Sequence, residues 1–127
     1  MQRTTVVVAD DHTLLRQALV NLLQKQSHVV VVGEAADGME ALEKVKLLAP
    51  DVVLMDLKMP RLDGAAATRS IMQESPGTSV VILTVSDTDE DLAAAVMAGA
   101  KGYLLKNATL DELLRAIEAA AAGEAVL

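Results

Sequence analysis

The chain has 127 residues, enough for one domain with a substantial core and too few for two. Its 52% hydrophobic content indicates a globular protein, and its net charge of −7 argues against this chain binding nucleic acid by itself, since phosphate contacts need clustered Lys and Arg. The lack of Cys excludes a disulfide scaffold, and without a long apolar run or a signal-peptide layout we expect a cytoplasmic protein with no membrane partner.

Short apolar runs, typical of buried strands, alternate along the chain with segments whose apolar residues recur at helical spacing. Pro50 ends the second helix, Gly99 follows the fourth, and Thr109 with Glu112 forms a capping box that opens the last. In chain order the predicted elements are strand 6–9, helix 14–23, strand 29–32, helix 39–49, strand 52–55, helix 65–72, strand 80–83, helix 92–97, strand 102–105 and helix 109–122.

Strands without polar alternation, each followed by a helix, are typical of a parallel sheet that helices cover on both faces. The sequence therefore predicts an α/β fold built on a doubly wound, five-stranded parallel sheet. Leu14 and Leu22 belong to the apolar set that makes the first helix amphipathic, and Leu92, Val96 and Met97 mark the fourth helix.

Three carboxylates stand where predicted strands end: Asp10 and Asp11 follow the first strand, and Asp56 follows the third. The carboxyl ends of parallel strands meet at the sheet edge where such proteins place their ligands. Three acids brought together repel one another unless a cation lies among them, and an oxygen-only cluster suits Mg²⁺ better than a soft transition metal. His12 is expected to open the first helix and is not placed to form a metal site with His28.

In their order and spacing, the motifs of the chain resemble those of the receiver domain of two-component response regulators. The resemblance covers essentially the whole chain, with residues 1–122 as the receiver domain. It rests on Asp10-Asp11, Asp56, the loop Met59-Pro-Arg-Leu-Asp-Gly64, Thr84 and the segment Lys101-Gly-Tyr-Leu-Leu-Lys106. It implies the strand order 2-1-3-4-5 of flavodoxin- and CheY-like (βα)5 folds, and phosphotransfer from a sensor histidine kinase to Asp56.

Asp56 would be the phosphoacceptor, because a carboxylate can attack a phosphoryl group once the charge on the phosphoryl oxygens is neutralised. By resemblance, Asp11 and Asp56 ligate Mg²⁺ directly, and the backbone carbonyl of Lys58 adds a third protein oxygen. Asp10 acts through water. Mg²⁺ usually keeps several waters, so this short set of protein ligands is sufficient.

Lys106 would supply a fixed positive charge, and the Thr84 hydroxyl a hydrogen bond, to the phosphoryl oxygens. By resemblance, Thr84 and Tyr103, the only aromatic residue, form the switch: the ring swings inward when Thr84 is drawn to the phosphoryl group. Such a domain is a signalling switch and no ordinary enzyme. It catalyses only its own Mg²⁺-dependent phosphotransfer and slow dephosphorylation.

Two positions depart from the general receiver pattern. Asn107 follows Lys106, where most receivers have Pro joined by a cis peptide. A cis bond before a non-proline residue costs about 2.5 to 4 kcal/mol, so the isomer of this bond is left open. Val85 follows Thr84, where the residue is usually very small, and its side chain could crowd the route to Asp56.

Three segments resemble the NarL/FixJ group of regulators: Asp11-His-Thr-Leu-Leu-Arg16, Tyr103-Leu-Leu-Lys-Asn107 and the closing Ala-Gly-Glu-Ala-Val-Leu127. In that group a linker leads to a LuxR-type helix-turn-helix domain, so residues 123–127 are expected to begin a linker. DNA would then be bound only through that C-terminal domain, which this chain lacks, and phosphorylation would favour a homodimer. The alternative is a stand-alone receiver that docks to a partner protein without DNA output.

Two other families fit the residues less well. A haloacid-dehalogenase-type phosphohydrolase would need an acid two positions after a nucleophile on the first strand, and Ala9-Asp10-Asp11-His12-Thr13 does not supply that pattern. A flavodoxin-like FMN binder would need a phosphate loop rich in Gly, Ser and Thr after the first strand. This chain has two acids there, which would repel phosphate.

Overall fold

The computed structural model describes residues 3–127, in which strands and helices alternate. Every predicted element is present, and several are longer at their ends than the apolar pattern indicates. In chain order they are β1 (Thr4–Ala9), α1 (Thr13–Gln24), β2 (Val29–Ala35), α2 (Gly38–Leu48), β3 (Val52–Met55), α3 (Gly64–Glu74), β4 (Ser79–Thr84), α4 (Asp89–Ala98), β5 (Gly102–Leu105) and α5 (Leu110–Ala121).

The strands form one parallel sheet in the order β2-β1-β3-β4-β5, which confirms the order implied by the resemblance. Ala9 pairs with Met55, Met55 pairs with Ile82, and Thr84 at the end of β4 pairs with Leu105 at the end of β5. The residues that follow β1, β3 and β5 therefore share one edge of the sheet.

Helices cover both faces of the sheet, as the doubly wound prediction requires. On one face, α1 and α5 bury Leu23 and Ile117 against the strands. On the other face, α2, α3 and α4 bury Val45, Ile71 and Ala95. Each large apolar side chain that is fully buried contributes roughly 1.5 to 3 kcal/mol relative to its exposed state, so the two cores stabilise the sheet from both faces.

α1 and α4 carry apolar side chains that are not buried against the sheet. Leu14 in α1 is 83% exposed and Met97 in α4 is 86% exposed, although both belong to the apolar pattern that predicted these helices. The buried positions of α4 are the small residues Ala95 and Ala98. The helix was correctly predicted, but its larger apolar side chains do not mark its inner face, because the packed contact is made by alanines.

Ala49 ends α2 in an unusual backbone conformation. It lies in the left-handed region, with φ 45° and ψ 57°, and its N–H donates to the carbonyl of Val45. Pro50 follows and cannot continue the helix. At the other end of the chain, the predicted capping box is confirmed: the Thr109 side chain accepts from the Glu112 N–H, and the Glu112 side chain accepts from the Thr109 N–H.

The segment after α5 returns to the sheet. Val126 forms a parallel bridge with Gly102, its N–H donates to the carbonyl of Lys101 at 2.6 Å, and its carbonyl accepts from the Tyr103 N–H at 3.3 Å. Part of the stretch 123–127, which the sequence assigns to the start of a linker, thus lies along the outer edge of β5.

The peptide bond between Lys106 and Asn107 is trans, like the others within residues 3–127. Over the same residues, none of the helices combines the length and the apolar character that crossing a bilayer requires.

Candidate functional site

The main chain fixes Asp10, Asp56 and Lys106 at one sheet edge, because the hydrogen-bond ladder continues past the strand ends. The Asp56 N–H donates to the carbonyl of Ala9 at 3.0 Å, just beyond the paired ends of β1 and β3. The Lys106 N–H donates in the same way to the carbonyl of Thr84 at 2.8 Å, just beyond β4 and β5. The side chains that the sequence assigned to one site therefore begin from backbone positions that the sheet holds in place.

The Lys106 ammonium lies between two buried carboxylates. Its Nζ is 2.8 Å from Oδ2 of Asp10 and 2.8 Å from Oδ2 of Asp56. The three side chains are only 10%, 3% and 4% exposed, so water screens these contacts weakly. The lysine therefore joins the ends of β1, β3 and β5 into a single charged unit.

Burial and pairing act in opposite directions on the pKa values of Asp10 and Lys106. Burial acts to raise the pKa of Asp10, but hydrogen bonds from Lys106 and His12 together outweigh it and hold that pKa below its ordinary value of 3.8. Burial acts to lower the pKa of Lys106, but its hydrogen bonds to Asp10 and Asp56 prevail and raise that pKa above 10.5. The charged pair is thus favoured over its neutral form at neutral pH.

Asp11 completes the cluster on its open side. Its side chain is 35% exposed, and ligand atoms of Asp10, Asp11, His12 and Asp56 all lie within 4.8 Å of one another. The three carboxylates and the Lys106 ammonium together carry a formal charge of −2, which a divalent cation would neutralise. Carboxylate oxygens beside an opening that admits water are the ligands that Mg²⁺ takes, so the donor set fits this ion.

The loop after β3 is folded tightly against the residue that follows Asp56. The Gly64 N–H donates to the Leu57 carbonyl at 2.8 Å, and a Cβ on Gly64 would lie 2.7 Å from Leu57 Cα, closer than real contacts allow. The Lys58 N–H lies 3.4 Å from Oδ1 of Asp56. Gly64 is therefore needed for the loop to close on the site, and the role of the Lys58 carbonyl as a metal ligand stays a prediction.

Thr84 and Tyr103 are linked through one residue, Ser86. Thr84 is fully buried, and its Oγ1 accepts from the Ser86 N–H at 3.3 Å. The Tyr103 hydroxyl donates to the Ser86 carbonyl at 2.9 Å, while its ring packs against the core. Burial raises the pKa of Tyr103 above 10.0. The sequence did not indicate this link, and the switch roles of Thr84 and Tyr103 stay predictions.

His12 belongs to the acidic cluster, a position that the sequence interpretation missed. It precedes α1 as predicted, but its Nδ1 lies 3.0 Å from Oδ1 of Asp10 and 3.4 Å from Oδ1 of Asp11. His28 lies before β2, at the opposite edge of the sheet. The signal was present in the sequence, because His12 directly follows the two acids at a strand end.

Val85 places a branched side chain beside the cluster. It is 78% exposed and lines an apolar depression together with His12, Leu14 and Lys106. Its effect on access to Asp56 stays a prediction.

The sequence is similar to known signalling proteins over nearly its whole length. The family model described as the response regulator receiver domain matches residues 6–118. The transcriptional regulatory protein YxjL of Bacillus subtilis (strain 168) is 45% identical over 121 residues, which is 95% of this chain and 56% of that protein. The nitrate/nitrite response regulator protein NarL of Escherichia coli (strain K12) is 38% identical over 123 residues, which is 97% of this chain and 57% of that protein.

The structure is similar to a solved receiver domain. The signal receiver domain of the response regulator NarL from Mycobacterium tuberculosis superposes with a TM-score of 0.93 at 38% identity. The match covers 98% of this chain and 100% of that one. The chain spans little more than half the length of the two curated relatives.

Proposed function

Because the chain belongs to the response regulator receiver domain family, with relatives in the NarL group, we propose that it is a phosphorylation-activated switch whose Asp56 accepts a phosphoryl group from a sensor histidine kinase. The observation that carries the proposal is the Lys106 ammonium held 2.8 Å from Oδ2 of Asp56 within a cluster of acids. This geometry offers a carboxylate nucleophile, a fixed positive charge and room for a divalent cation at one edge of the sheet.

In the proposed transfer, a carboxylate oxygen of Asp56 attacks the phosphorus of a phosphohistidine. The new O–P bond forms as the N–P bond breaks, and the electron pair of that bond returns to the imidazole nitrogen of the donor. Bound Mg²⁺ would neutralise charge on the phosphoryl oxygens. Asp11 and Asp56 would hold it directly with the Lys58 carbonyl, and Asp10, already bonded to Lys106 and His12, would act through water.

Lys106 and Thr84 would stabilise the acyl phosphate and report its presence. The Lys106 ammonium can bond a phosphoryl oxygen in place of the Asp56 oxygen that it contacts now. The Thr84 hydroxyl can donate to a second oxygen, and Thr84 already contacts Ser86, which accepts from Tyr103. A shift of Thr84 would therefore reach Tyr103 through the backbone of Ser86. Attack by water on the same phosphorus would return Asp56 to its free state slowly.

The output that we propose is transcriptional regulation by a longer protein. Two longer relatives are named as regulators, one of them as a transcriptional regulatory protein, and the chain matches just over half of each. Residues 123–127 would begin the linker to a helix-turn-helix domain that binds DNA, and phosphorylation would favour a homodimer. The residues encoded after Leu127 decide between this output and a stand-alone receiver that docks to a partner protein.

The phosphoacceptor assignment is tested by mass spectrometry after incubation with acetyl phosphate and Mg²⁺. The wild-type chain should gain one phosphoryl group, and Asp56→Asn should gain none. Asp51→Asn is the matched control, because Asp51 precedes β3 at the opposite edge of the sheet, where it accepts from the Thr5 N–H. Equal labelling of Asp56→Asn at another acid would contradict the assignment.

A further inference from the structure

Asp91 joins the loop after β3 to the loop after β4. It lies in the first turn of α4, and its side chain is 21% exposed. Its Oδ1 is 3.3 Å from the Lys58 ammonium, and its Oδ2 accepts a hydrogen bond from the Ser86 hydroxyl. Lys58 comes two residues after Asp56 in the first of these loops, and Ser86 lies in the second. The carboxylate of Asp91 thus bridges the two loops from outside the acidic cluster.

Asp91 is a fixed anchor, because its neighbours hold the residue in place and keep it charged. Its N–H donates to the side chain of Thr88, the N-cap of α4, at 3.2 Å. The hydrogen bond from Ser86 outweighs partial burial and, with a smaller contribution from Lys58, holds the pKa of Asp91 below 3.8. At neutral pH the anchor therefore carries the negative charge that an ammonium needs as its partner.

Lys58 has a backbone position from which its ammonium can also reach Asp56. Its backbone nitrogen lies 3.4 Å from Oδ1 of Asp56, so its Cα is at most about 5 Å from that oxygen. A flexible four-carbon stem can cover this distance. The Lys58 side chain is 66% exposed and, with Asp91, lines an open cleft of about 110 Å³ between the loop after β3 and α4. Packing therefore does not keep the ammonium away from Asp56.

The acidic cluster attracts any cation within reach. The carboxylates of Asp10, Asp11 and Asp56 carry, together with the Lys106 ammonium, a formal charge of −2. A second ammonium would offset half of this charge and would occupy carboxylate oxygens that a divalent ion needs. Since two cations cannot share the same oxygens, the position of the Lys58 side chain bears directly on the affinity for Mg²⁺.

We propose that Asp91 is a positioning residue: it holds the Lys58 ammonium outside the acidic cluster and so keeps the Asp56 carboxylate open to Mg²⁺. The inference rests on the divalent-cation site of the proposed function. It adds that a residue of α4, which is not itself a ligand, sets through Lys58 how tightly that site binds its ion.

The test is calorimetric titration with Mg²⁺ of the wild-type chain, Asp91→Asn and Asp89→Asn. Asn keeps the size of the side chain and an oxygen that can accept from Ser86, but its neutral amide no longer attracts the Lys58 ammonium. Asp89→Asn is the matched control, because Asp89 is an exposed acid of the same helical turn and loses the same charge. We expect Mg²⁺ affinity to be about two- to fivefold lower in Asp91→Asn than in Asp89→Asn, a factor typical of an exposed ion pair.

A double-mutant cycle identifies Lys58 as the competing cation. Lys58→Met removes the ammonium and keeps the backbone carbonyl. In this background, Asp91→Asn should lower Mg²⁺ affinity no more than Asp89→Asn does. If the loss is the same with and without the Lys58 ammonium, Asp91 acts by another route and the inference is overturned. Equal affinities of Asp91→Asn and Asp89→Asn in the wild-type background would overturn it as well.

Labelling of Asp56 by acetyl phosphate distinguishes this inference from the proposed function. In Asp91→Asn, the Mg²⁺ concentration for half-maximal labelling rate should rise by the factor that calorimetry gives, while the rate at saturating Mg²⁺ stays near the wild-type value. A lower rate at saturating Mg²⁺ would make Asp91 a structural part of the site and would contradict the inference.

The two proposals can fail separately. If the wild-type chain binds Mg²⁺ and is labelled at Asp56 but the cycle shows no coupling between Asp91 and Lys58, only the inference is wrong. If the chain binds Mg²⁺ and shows the coupling but is not labelled, only the proposed function is wrong. If Mg²⁺ does not bind at the cluster, both fail.

Discussion

The positive charge of Lys106 has two roles at the site. It compensates the carboxylates of Asp10 and Asp56, and it supplies the ammonium that a phosphoryl group would meet. Removing the charge leaves two buried acids facing each other without a counterion. A charge-free side chain of similar length separates this electrostatic effect from simple loss of packing.

We expect Lys106→Met to destabilise the chain without Mg²⁺ and to be partly rescued when Mg²⁺ is added. Breaking a fully buried ion pair costs about 3 to 5 kcal/mol, and because Asp11 opens this cluster to water we expect about 2 kcal/mol. Urea unfolding at neutral pH, with and without millimolar Mg²⁺, measures the difference. Lys101→Met, at the other end of β5, is the control, and equal stability of both variants in metal-free buffer would contradict the compensating role.

The pKa of Tyr103 can be measured without interference, since the chain has one Tyr and no Trp. Because burial raises this pKa above 10.0, the phenolate absorbance should titrate at a higher pH in the folded chain than in urea. The neutral phenol is the favoured form in the fold, so its contribution to stability is complete below pH 10.0 and is lost as the pH rises through the folded pKa. A midpoint that is the same in folded and unfolded chain would mean that the ring is more open to water than its contacts indicate.

At the scale of elements, the sequence predicted what depends on local pattern. The bounds of β3 and β5 match the predicted runs, and the capping box of α5 is present as expected. Both follow from short-range physics: continuous apolar runs form buried strands, and Thr109 with Glu112 satisfies the first turn of a helix.

Features that depend on contacts between distant parts of the chain could not be predicted from the spacing of apolar residues. Leu14 and Met97 have helical spacing but lie exposed, because spacing shows that a face is apolar and says nothing of how far other elements cover it. The His12 side chain contacts Asp10 because it is directed towards the acidic cluster. Val126 pairs with β5 although the whole of α5 lies between them in the sequence. Both contacts require the assembled fold.

Ala49, in the left-handed conformation at the end of α2, is a position where a substitution should stabilise the fold. Ala49→Gly should raise the free energy of unfolding by about 0.5 to 1 kcal/mol, because the left-handed region costs alanine about 1 to 2 kcal/mol and glycine nothing, less the extra entropy of glycine in the unfolded chain. Urea unfolding measures it. Ala93→Gly, in the exposed interior of α4, is the control and should lower stability by about 1 kcal/mol. If both variants had a lower free energy of unfolding than the wild-type chain, the left-handed conformation of Ala49 would be contradicted.

For the whole molecule, the excess of negative charge at one sheet edge links metal binding to global stability. A cation that binds the folded chain at ten times its Kd stabilises it by about 1.4 kcal/mol, or roughly 3 to 5 °C in Tm. Mg²⁺ should therefore raise the Tm of the wild-type chain, and Asp11→Ala should lose most of this gain. Asp111→Ala, in the exposed first turn of α5, should keep it. A Tm that is constant across millimolar Mg²⁺ would count against the site.

The return of Val126 to β5 bears on how two copies of the molecule can meet. An edge strand with open N–H and C=O groups is a template for strand addition, and here the segment after α5 already bonds Lys101 and Tyr103 along that edge. Because this segment is tethered to the strand that it covers, its effective concentration there is on the order of millimolar, and a strand from a second copy would have to displace it. Self-association at low concentration should therefore proceed through helix surfaces, while the β5 edge stays paired with the Val126 segment of the same chain.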